Sequence, residues 1–313
     1  MAIDKAYANS EFRGQIHVPA PPTPFAENGD LMGDAFAEVL EYYVSTVKVD
    51  GLLIAGSNGE GYAMTTDELR RVTEIAVRTI AGRIPYYVNV TRTSAKASIA
   101  RAEVAAEAGA TGICLMGHPV ILDATEDEIV TRFEKVGKAV PLPMMVYNSS
   151  HLQQFNIAPE VLTRIADVAP VACLKDGNRD PDHIRGMMAA HGDRFPVLSG
   201  HRETLIPSIL LGCGGFVSTG PELFGATVRE VFEVHDMTPT ERFALHCKYI
   251  EVTDAALYDS VPPAGIKGAL NLIGLPAGVP RDPVLPLTPA QEANLRAVLV
   301  KYGILEGEVK AAQ

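Results

Sequence analysis

The sequence predicts an α/β fold, namely a (β/α)8 barrel of the TIM type with a C-terminal helical extension. From residue 15 to about residue 235, short apolar runs alternate with amphipathic segments of helix length, as in a parallel sheet whose strands are joined by helices. Eight such units favour a closed barrel. A doubly wound sheet is the alternative, but its first strand more often leads into a G-x-G-x-x-G turn, whereas here Pro21-Pro22-Thr23-Pro24-Phe25 follows.

Eight apolar runs are predicted strands because each is short, apolar on both faces and bounded by turn residues. They span residues 16–20, 51–55, 86–90, 112–116, 143–147, 171–175, 196–199 and 215–218. Two intervening helices open with a capping-box sequence, and two have proline in the first turn, where a missing N–H costs nothing. These signals are Thr65 with Glu68, Thr125 with Glu128, Pro159, and Pro181 behind the N-cap Asp180.

After residue 236 the alternation stops and only helices are predicted. Thr238-Pro239-Thr240-Glu241 begins a helix that runs to about Tyr258, and shorter helices follow at 264–273 and 288–302. We therefore expect a barrel over residues 1–236 and a helical extension over 237–313 that packs on the barrel and is not an independent domain.

Composition excludes several classes of protein. With 47% hydrophobic residues the chain can bury a large core, and a net charge of −11 without a basic run argues against nucleic acid as a partner. No apolar stretch approaches the ~18 residues of a membrane span, and the N-terminus lacks the apolar core of a signal peptide. The chain is expected to be soluble and cytoplasmic, with no membrane partner.

The cysteines and histidines do not have the spacing of a metal site. The four cysteines are far apart and are predicted to be buried thiols in a reducing compartment. The eight histidines show neither the H-x-x-x-H nor the H-E-x-x-H spacing of a metal site. We therefore expect no metal and no disulfide framework. The cysteines are Cys114, Cys173, Cys213 and Cys247.

Lys175 ends the sixth predicted strand, between Ala169-Pro170 and a polar segment that begins at Gly177. The carboxyl ends of barrel strands form the mouth at which active sites of this fold are built. A lysine held there against apolar neighbours can lose its proton and attack a carbonyl carbon. The competing interpretation is a strand-end lysine that reaches into solvent.

Two further strand ends carry candidate residues. The loop Gly56-Ser57-Asn58-Gly59-Glu60-Gly61 combines glycines, which permit positive φ and close backbone approach, with N–H and side-chain groups that can hold a small carboxylate. Tyr147 ends the fifth strand, where a phenol can relay protons. An ordinary glycine-rich loop and an amphipathic tyrosine covering the core are the competing interpretations.

The seventh and eighth strands end in polar residues as well. Gly200-His201-Arg202-Glu203 places a cation and an anion on the same rim, and Val217-Ser218-Thr219 ends the eighth strand in hydroxyl groups. A phosphate site after strands 7 and 8 is one interpretation of the second segment, although it lacks an attached lysine or arginine pair.

The order and spacing of these motifs resemble the dihydrodipicolinate synthase / N-acetylneuraminate lyase superfamily of barrel enzymes that form a Schiff base. The resemblance runs from Thr23-Pro24-Phe25 to the segment at 266–270. Its most specific parts are G-S-N-G-E at 56–60, Y-N at 147–148 and the strand-end lysine at 175.

The resemblance implies roles for individual residues. Lys175 forms an imine with pyruvate or a similar 2-keto acid, Tyr147 moves protons with help from the Ser57 hydroxyl, and the loop at Gly56, Ser57 and Asn58 binds the substrate carboxylate. No cofactor beyond the lysine imine is implied, and a homotetramer or homodimer is typical. Further candidate substrate-binding residues are Gly200, Arg202, Glu203, Val217, Ser218 and His151.

The sequence also departs from the family pattern. Dihydrodipicolinate synthases carry an arginine after the Y-N pair, where this chain has Leu152 beside His151, and a second tyrosine after strand 4, where this chain has Val120. Both departures argue against lysine biosynthesis. They also leave open which residue, if any, replaces that tyrosine, and they weaken the case that one subunit completes the site of another.

The rim after strand 7 differs from that of sialic acid lyases, which carry acidic residues there for sugar hydroxyls. Arg202 replaces the first acidic residue and Glu203 keeps the second. Because arginine clamps a carboxylate through two hydrogen bonds, we predict a second acidic or polar group at the far end of the substrate. A surface arginine paired with Glu203 is the competing interpretation.

The sequence thus predicts a class I lyase, an aldolase or dehydratase, that acts on a 4-hydroxy-2-keto acid such as a 2-keto-3-deoxy sugar acid and releases pyruvate. A hydratase-aldolase for an aromatic-derived 2-keto acid, an N-acetylneuraminate lyase and, last, a dihydrodipicolinate synthase are alternatives within the superfamily. A phosphate-binding barrel enzyme without an imine and a non-catalytic binding protein are alternatives outside it.

Overall fold

The computed structural model describes residues 16–117, 124–149 and 155–306. Within them, eight parallel strands follow the order β1-β8-β7-β6-β5-β4-β3-β2. Two backbone hydrogen bonds join β2 back to β1, from Asp50 N–H to the His17 carbonyl and from Leu53 N–H to the Pro19 carbonyl, and close the sheet into a barrel. The strands are β1 Ile16–His17, β2 Leu52–Ile54, β3 Tyr86–Asn89, β4 Gly112–Met116, β5 Met144–Asn148, β6 Val171–Asp176, β7 Val197–Ser199 and β8 Gly215–Phe216.

Each strand lies at its predicted apolar run, so the prediction of the barrel is confirmed. The first strand is shorter than its run, but its pairing continues, since Val18 N–H donates to the Phe216 carbonyl and Ala20 N–H to the Ser218 carbonyl. Prolines 19, 21 and 22 lack the N–H groups that a longer regular ladder would require.

Ten α-helices lie in the part of the chain that the structure describes. They are α1 Gly33–Glu41, α2 Thr66–Ile80, α3 Ala95–Glu107, α4 Glu126–Ala139, α5 Pro159–Val168, α6 Pro181–His191, α7 Leu205–Leu210, α8 Pro239–Thr253, α9 Ala264–Leu272 and α10 Pro289–Lys301. Two of them continue as π-helical turns, α1 through Tyr42–Val47 and α8 through Asp254–Tyr258. Segments of 3-10 helix span Gly61–Ala63, Arg202–Thr204 and Pro221–Glu233.

The predicted helix starts are confirmed. The capping boxes of Thr65 with Glu68 and Thr125 with Glu128 are both closed by reciprocal hydrogen bonds. Asp180 accepts a hydrogen bond from Asp182 N–H and so caps α6 ahead of Pro181. Local sequence signals therefore fix where these helices begin.

Two apolar clusters pack against the inner and outer faces of the barrel sheet. An inner cluster fills the barrel and an outer cluster joins the strands to the helices, because successive side chains of a strand point to opposite faces. Three cysteines are buried in these clusters as predicted, while Cys247 is partly exposed. The inner cluster is Ile16, Val18, Ala20, Leu53, Tyr87, Cys114, Met116, Met145, Tyr147, Ala172, Cys173, Leu198 and Val217.

The helices after residue 236 pack against the carboxyl end of the barrel. Tyr249 of α8 donates a hydrogen bond to the Val228 carbonyl, and Lys267 of α9 contacts Glu60 in the loop after β2. Across the described ranges, no helix is long and apolar enough to cross a membrane.

Candidate active site at the mouth of the barrel

A cavity of about 390 Å³ opens at the carboxyl end of the strands. Gly56 and Glu203 do not line it, but each is the neighbour in sequence of a residue that does. His151 lies outside the described residues, as do Val120 and Leu152. The predicted site residues that line the cavity are Ser57, Asn58, Tyr147, Lys175, Gly200, Arg202, Val217 and Ser218.

Lys175 and Tyr147 face each other inside the cavity. They are register partners on the neighbouring strands β6 and β5, so their side chains lie on the same face of the sheet. The Lys175 Nζ lies 3.9 Å from the centroid of the Tyr147 ring, the geometry of a cation–π contact. The amine is thus held beside the phenol at the point where a substrate carbonyl would enter.

The residues next in sequence point away from the cavity into a buried polar network that sequence reasoning missed. Asp176 is fully buried, and its Oδ1 accepts hydrogen bonds from Asn148 Nδ2 at 3.2 Å and from Asn178 N–H at 3.1 Å. Its Oδ2 lies 3.2 Å from His183 Nε2 of α6. These contacts fix the ends of β5 and β6, and with them the positions of Tyr147 and Lys175.

The loop after β2 adopts its shape through close approach and not through positive φ at its glycines. Positive φ occurs at Ala55 (53°) and Glu60 (54°), which corrects the expectation that the glycines supply it. Gly61 is needed for a different reason, because a Cβ there would lie 2.0 Å from the Ala55 carbonyl oxygen. Asn58 is buried and donates through Nδ2 to Thr219 Oγ1 at 2.5 Å, which ties this loop to the end of β8.

Arg202 is held by residues of the C-terminal extension. Its Nε lies 2.6 Å from Asp254 Oδ1 and its guanidinium carbon lies 3.9 Å from the centroid of the Tyr258 ring, whereas its Nη2 is 3.5 Å from Glu203 Oε1. The side chain is only 15% exposed. The closest acidic partner of this arginine is therefore Asp254, which the sequence did not indicate.

Arg179 is a second arginine of the rim that sequence reasoning missed. Its Nε donates to His201 Nε2 at 3.1 Å and lies 3.9 Å from Glu203 Oε2. Its place in the polar segment directly after β6 was the available signal. Among the described residues that line the cavity, Lys175, Arg179 and Arg202 are cationic and none is Asp or Glu, so the site favours an anionic substrate.

The C-terminal extension forms one wall of the cavity, which no local pattern in the sequence indicated. Burial raises the pKa of Tyr258. The wall residues are Tyr249, Thr253, Leu257, Tyr258 and Pro262.

Ser218 lines the cavity, but its hydroxyl is engaged behind the strand. Its Oγ lies 2.7 Å from His17 Nε2 and donates to Glu222 Oε2 at 3.2 Å. Burial lowers the pKa of His17 to about 3 and raises the pKa of Glu222. An acidic group behind this hydroxyl does not favour the phosphate-site interpretation.

Within the ranges described, no cluster of three or more His, Cys, Asp or Glu residues suits a metal ion.

A family model, two related sequences and a solved structure each match most of this chain. The model of the dihydrodipicolinate synthetase family matches residues 12–302. A 4-hydroxy-tetrahydrodipicolinate synthase of Thermomicrobium roseum is 31% identical over 278 residues, which cover 88% of this chain and 91% of the relative. One from an Exiguobacterium species is 29% identical over 283 residues, with 90% and 95% covered. The crystal structure of the Cyanidioschyzon merolae dihydrodipicolinate synthase with lysine bound has a TM-score of 0.86 at 25% identity, with 93% of this chain and 99% of that chain covered.

Proposed function

The chain belongs to the dihydrodipicolinate synthetase family of class I lyases, and from that premise we propose that Lys175 forms an imine with a 4-hydroxy-2-keto acid. The contact between the Lys175 amine and the face of Tyr147 inside the cavity carries this proposal. It supports a reactive amine with a proton-transfer group beside it, which is the arrangement that nucleophilic catalysis by lysine requires.

The chemistry follows from the imine. The Lys175 nitrogen bonds to the keto carbon, and the carbonyl oxygen leaves as water. The protonated imine then accepts the electron pair released when the bond between C3 and C4 breaks, or when a proton leaves C3 before the 4-hydroxyl departs as water. In retro-aldol cleavage the 4-hydroxyl also loses its proton and C4 leaves as an aldehyde, after which C3 takes up a proton and hydrolysis of the imine releases pyruvate. In dehydration, hydrolysis of the imine releases an unsaturated keto acid.

The remaining site residues take the other tasks. Tyr147 delivers and removes protons, assisted by the Ser57 hydroxyl. The Ser57–Asn58 segment binds the carboxylate next to the keto group, a role supported by the anchoring of Asn58 to Thr219. Gly200 and Val217 complete the wall against which the substrate packs.

A 2-keto-3-deoxy sugar acid or a related compound is the substrate class that we favour. The cavity combines room for a chain longer than pyruvate with cationic groups at its rim. The relatives named above are 4-hydroxy-tetrahydrodipicolinate synthases. We rank that activity lower because the resemblance implies a tyrosine and an arginine where this chain has Val120 and Leu152. We further propose that the chain assembles as a homotetramer or homodimer, as is typical of the family.

The imine is tested by intact-mass analysis after incubation with pyruvate and borohydride. We expect a stable adduct on the wild-type protein and none on Lys175→Ala. Lys138→Ala is the matched control, since that side chain is 71% exposed, and it should label like the wild type. An adduct on Lys175→Ala, or none on any protein, would contradict the mechanism. With the adduct established, a panel of 4-hydroxy-2-keto acids is screened for released pyruvate or lost water.

A further inference from the structure

Two arginines of the cavity rim come from different strand ends. Arg179 follows β6 and its side chain is 48% exposed, while Arg202 begins the 3-10 turn after β7 and is 15% exposed. Both line the same cavity as Lys175. A substrate bound to Lys175 through its keto carbon would therefore share the cavity with two guanidinium groups.

Glu203 lies between these two arginines. Its Oε2 is 3.9 Å from Arg179 Nε and its Oε1 is 3.5 Å from Arg202 Nη2. The carboxylate is 45% exposed, and exposed ion pairs with such long separations contribute only about 0–1 kcal/mol. A carboxylate thus already occupies the place between the arginines, but it is held weakly enough to be displaced.

Arg202 is fixed in place, yet it keeps a donor without an acceptor. Asp254 and Tyr258 hold its Nε and its guanidinium face. Its Nη1 is buried and has no hydrogen-bond partner within the described part of the chain. A buried unpaired donor is unfavourable, so an incoming carboxylate oxygen that satisfied it would bind with an advantage over the present arrangement.

We propose that Arg179 and Arg202 form a subsite for a second carboxylate of the substrate, and that Glu203 occupies this subsite until the substrate displaces it. The substrate is then a 4-hydroxy-2-keto dicarboxylic acid, which rests on the proposed function of Lys175. Glu203 in this arrangement competes with the substrate, in contrast to a role in binding sugar hydroxyls. Substitution of the arginines and of Glu203 should accordingly have opposite effects.

The test uses 2-oxoglutarate and 2-oxoadipate, each paired with its distal methyl ester, which removes the charge of the distal carboxylate and leaves the keto group free. For each compound we measure the concentration that halves the pyruvate–borohydride adduct on Lys175. In the wild type, at least one diacid should be effective at about tenfold lower concentration than its methyl ester, the gain typical of a charge-assisted hydrogen bond. In Arg179→Gln and in Arg202→Gln, the ratio of the concentration needed for the ester to that needed for the diacid should fall towards one. In Glu203→Gln this ratio should rise.

Arg185→Gln is the matched control, because Arg185 is 65% exposed on α6 and lies outside the cavity lining. Equal potency of both diacids and their methyl esters in the wild type would overturn the subsite, as would a smaller preference for the diacid in Glu203→Gln. Should Arg202→Gln fail to fold, the half-exposed positions Arg179 and Glu203 still decide the question. If the wild type forms no pyruvate adduct, the imine mechanism fails separately. The subsite is then tested by the rise in Tm, which should be larger with the diacid than with its methyl ester.

Discussion

Lys267 of α9 and Glu60 of the loop after β2 form an ion pair in which both side chains are buried, although the two residues are 207 positions apart in the sequence. Lys267 also donates to the Val279 carbonyl at 2.7 Å, and Glu60 Oε2 accepts from Arg281 N–H at 2.7 Å. The C-terminal extension thereby holds the loop that carries Ser57 and Asn58. The pair connects the extension to the part of the active site proposed to bind the carboxylate.

Breaking this pair should be strongly destabilising. Lys267→Met leaves the Glu60 carboxylate buried without its partner, which costs about 3–5 kcal/mol in the free energy of unfolding. Urea unfolding measures the loss, and Glu60→Gln should show a loss of similar size. The double variant should be more stable than the sum of the single losses predicts, because it removes both charges. Additive losses would mean that the two charges do not interact.

Tyr147→Phe should separate imine formation from turnover. The variant keeps an aromatic ring beside the Lys175 Nζ, so the pyruvate–borohydride adduct should still form. It lacks the phenolic O–H, and loss of a general acid–base group lowers kcat by about 10²- to 10⁴-fold. Intact-mass labelling and steady-state kinetics on the same preparation provide the comparison. A variant with wild-type kcat would remove Tyr147 from the proton-transfer step.

Asp176→Ala should affect both stability and the reactivity of Lys175. The substitution removes the Oδ1 acceptor of the buried Asn178 N–H, at a cost of about 1–3 kcal/mol. It also removes one of the hydrogen bonds of Asn148 Nδ2, which keeps its bond to Asn156 Oδ1. Because Asp176 fixes the end of β6, we also expect slower adduct formation with pyruvate. Asp182→Ala on α6 is the control, since its side chain is 84% exposed. Unfolding and labelling indistinguishable from the wild type would show that this network does not position the strand end.

The low pKa of His17 should lower the free energy of unfolding as the solution becomes acidic. Its pKa is about 3 in the folded protein against 6.5 in the unfolded chain, because burial disfavours the imidazolium and Arg229 adds to the effect. Between these values the unfolded chain binds more protons, so the contribution of His17 to stability falls as the pH decreases from 6.5 towards 3. Glu222 and Asp50 have raised pKa values and oppose this trend, so the comparison must be with a variant.

The variant for this comparison is His17→Gln, which keeps a polar group near Ser218 and does not titrate. Urea unfolding of both proteins at several pH values from 7 to 4.5 should show a weaker dependence of stability on pH in the variant. Parallel curves would contradict the depressed pKa of His17.

The sequence by itself determined the barrel and placed Lys175 and Tyr147 at the ends of neighbouring strands. Strand positions, capping boxes and the placement of Lys175 and Tyr147 at strand ends follow from local patterns. That the two side chains share a face depends on the register of β5 and β6, which no local pattern gives. The family expectation was likewise confirmed by the match over residues 12–302. Such features depend on a few consecutive residues, which is why they can be read from the chain.

Only the tertiary structure decided which distant segments meet at the cavity. Asp254 and Tyr258 reach Arg202, Lys267 reaches Glu60, and Arg179 joins Arg202 around Glu203. None of these contacts has a local pattern, because a charged residue on a helix looks the same in sequence whether it faces solvent or a buried partner. The choice between those two environments is made by the packing of the extension on the barrel, which depends on the whole apolar surface that is buried between them.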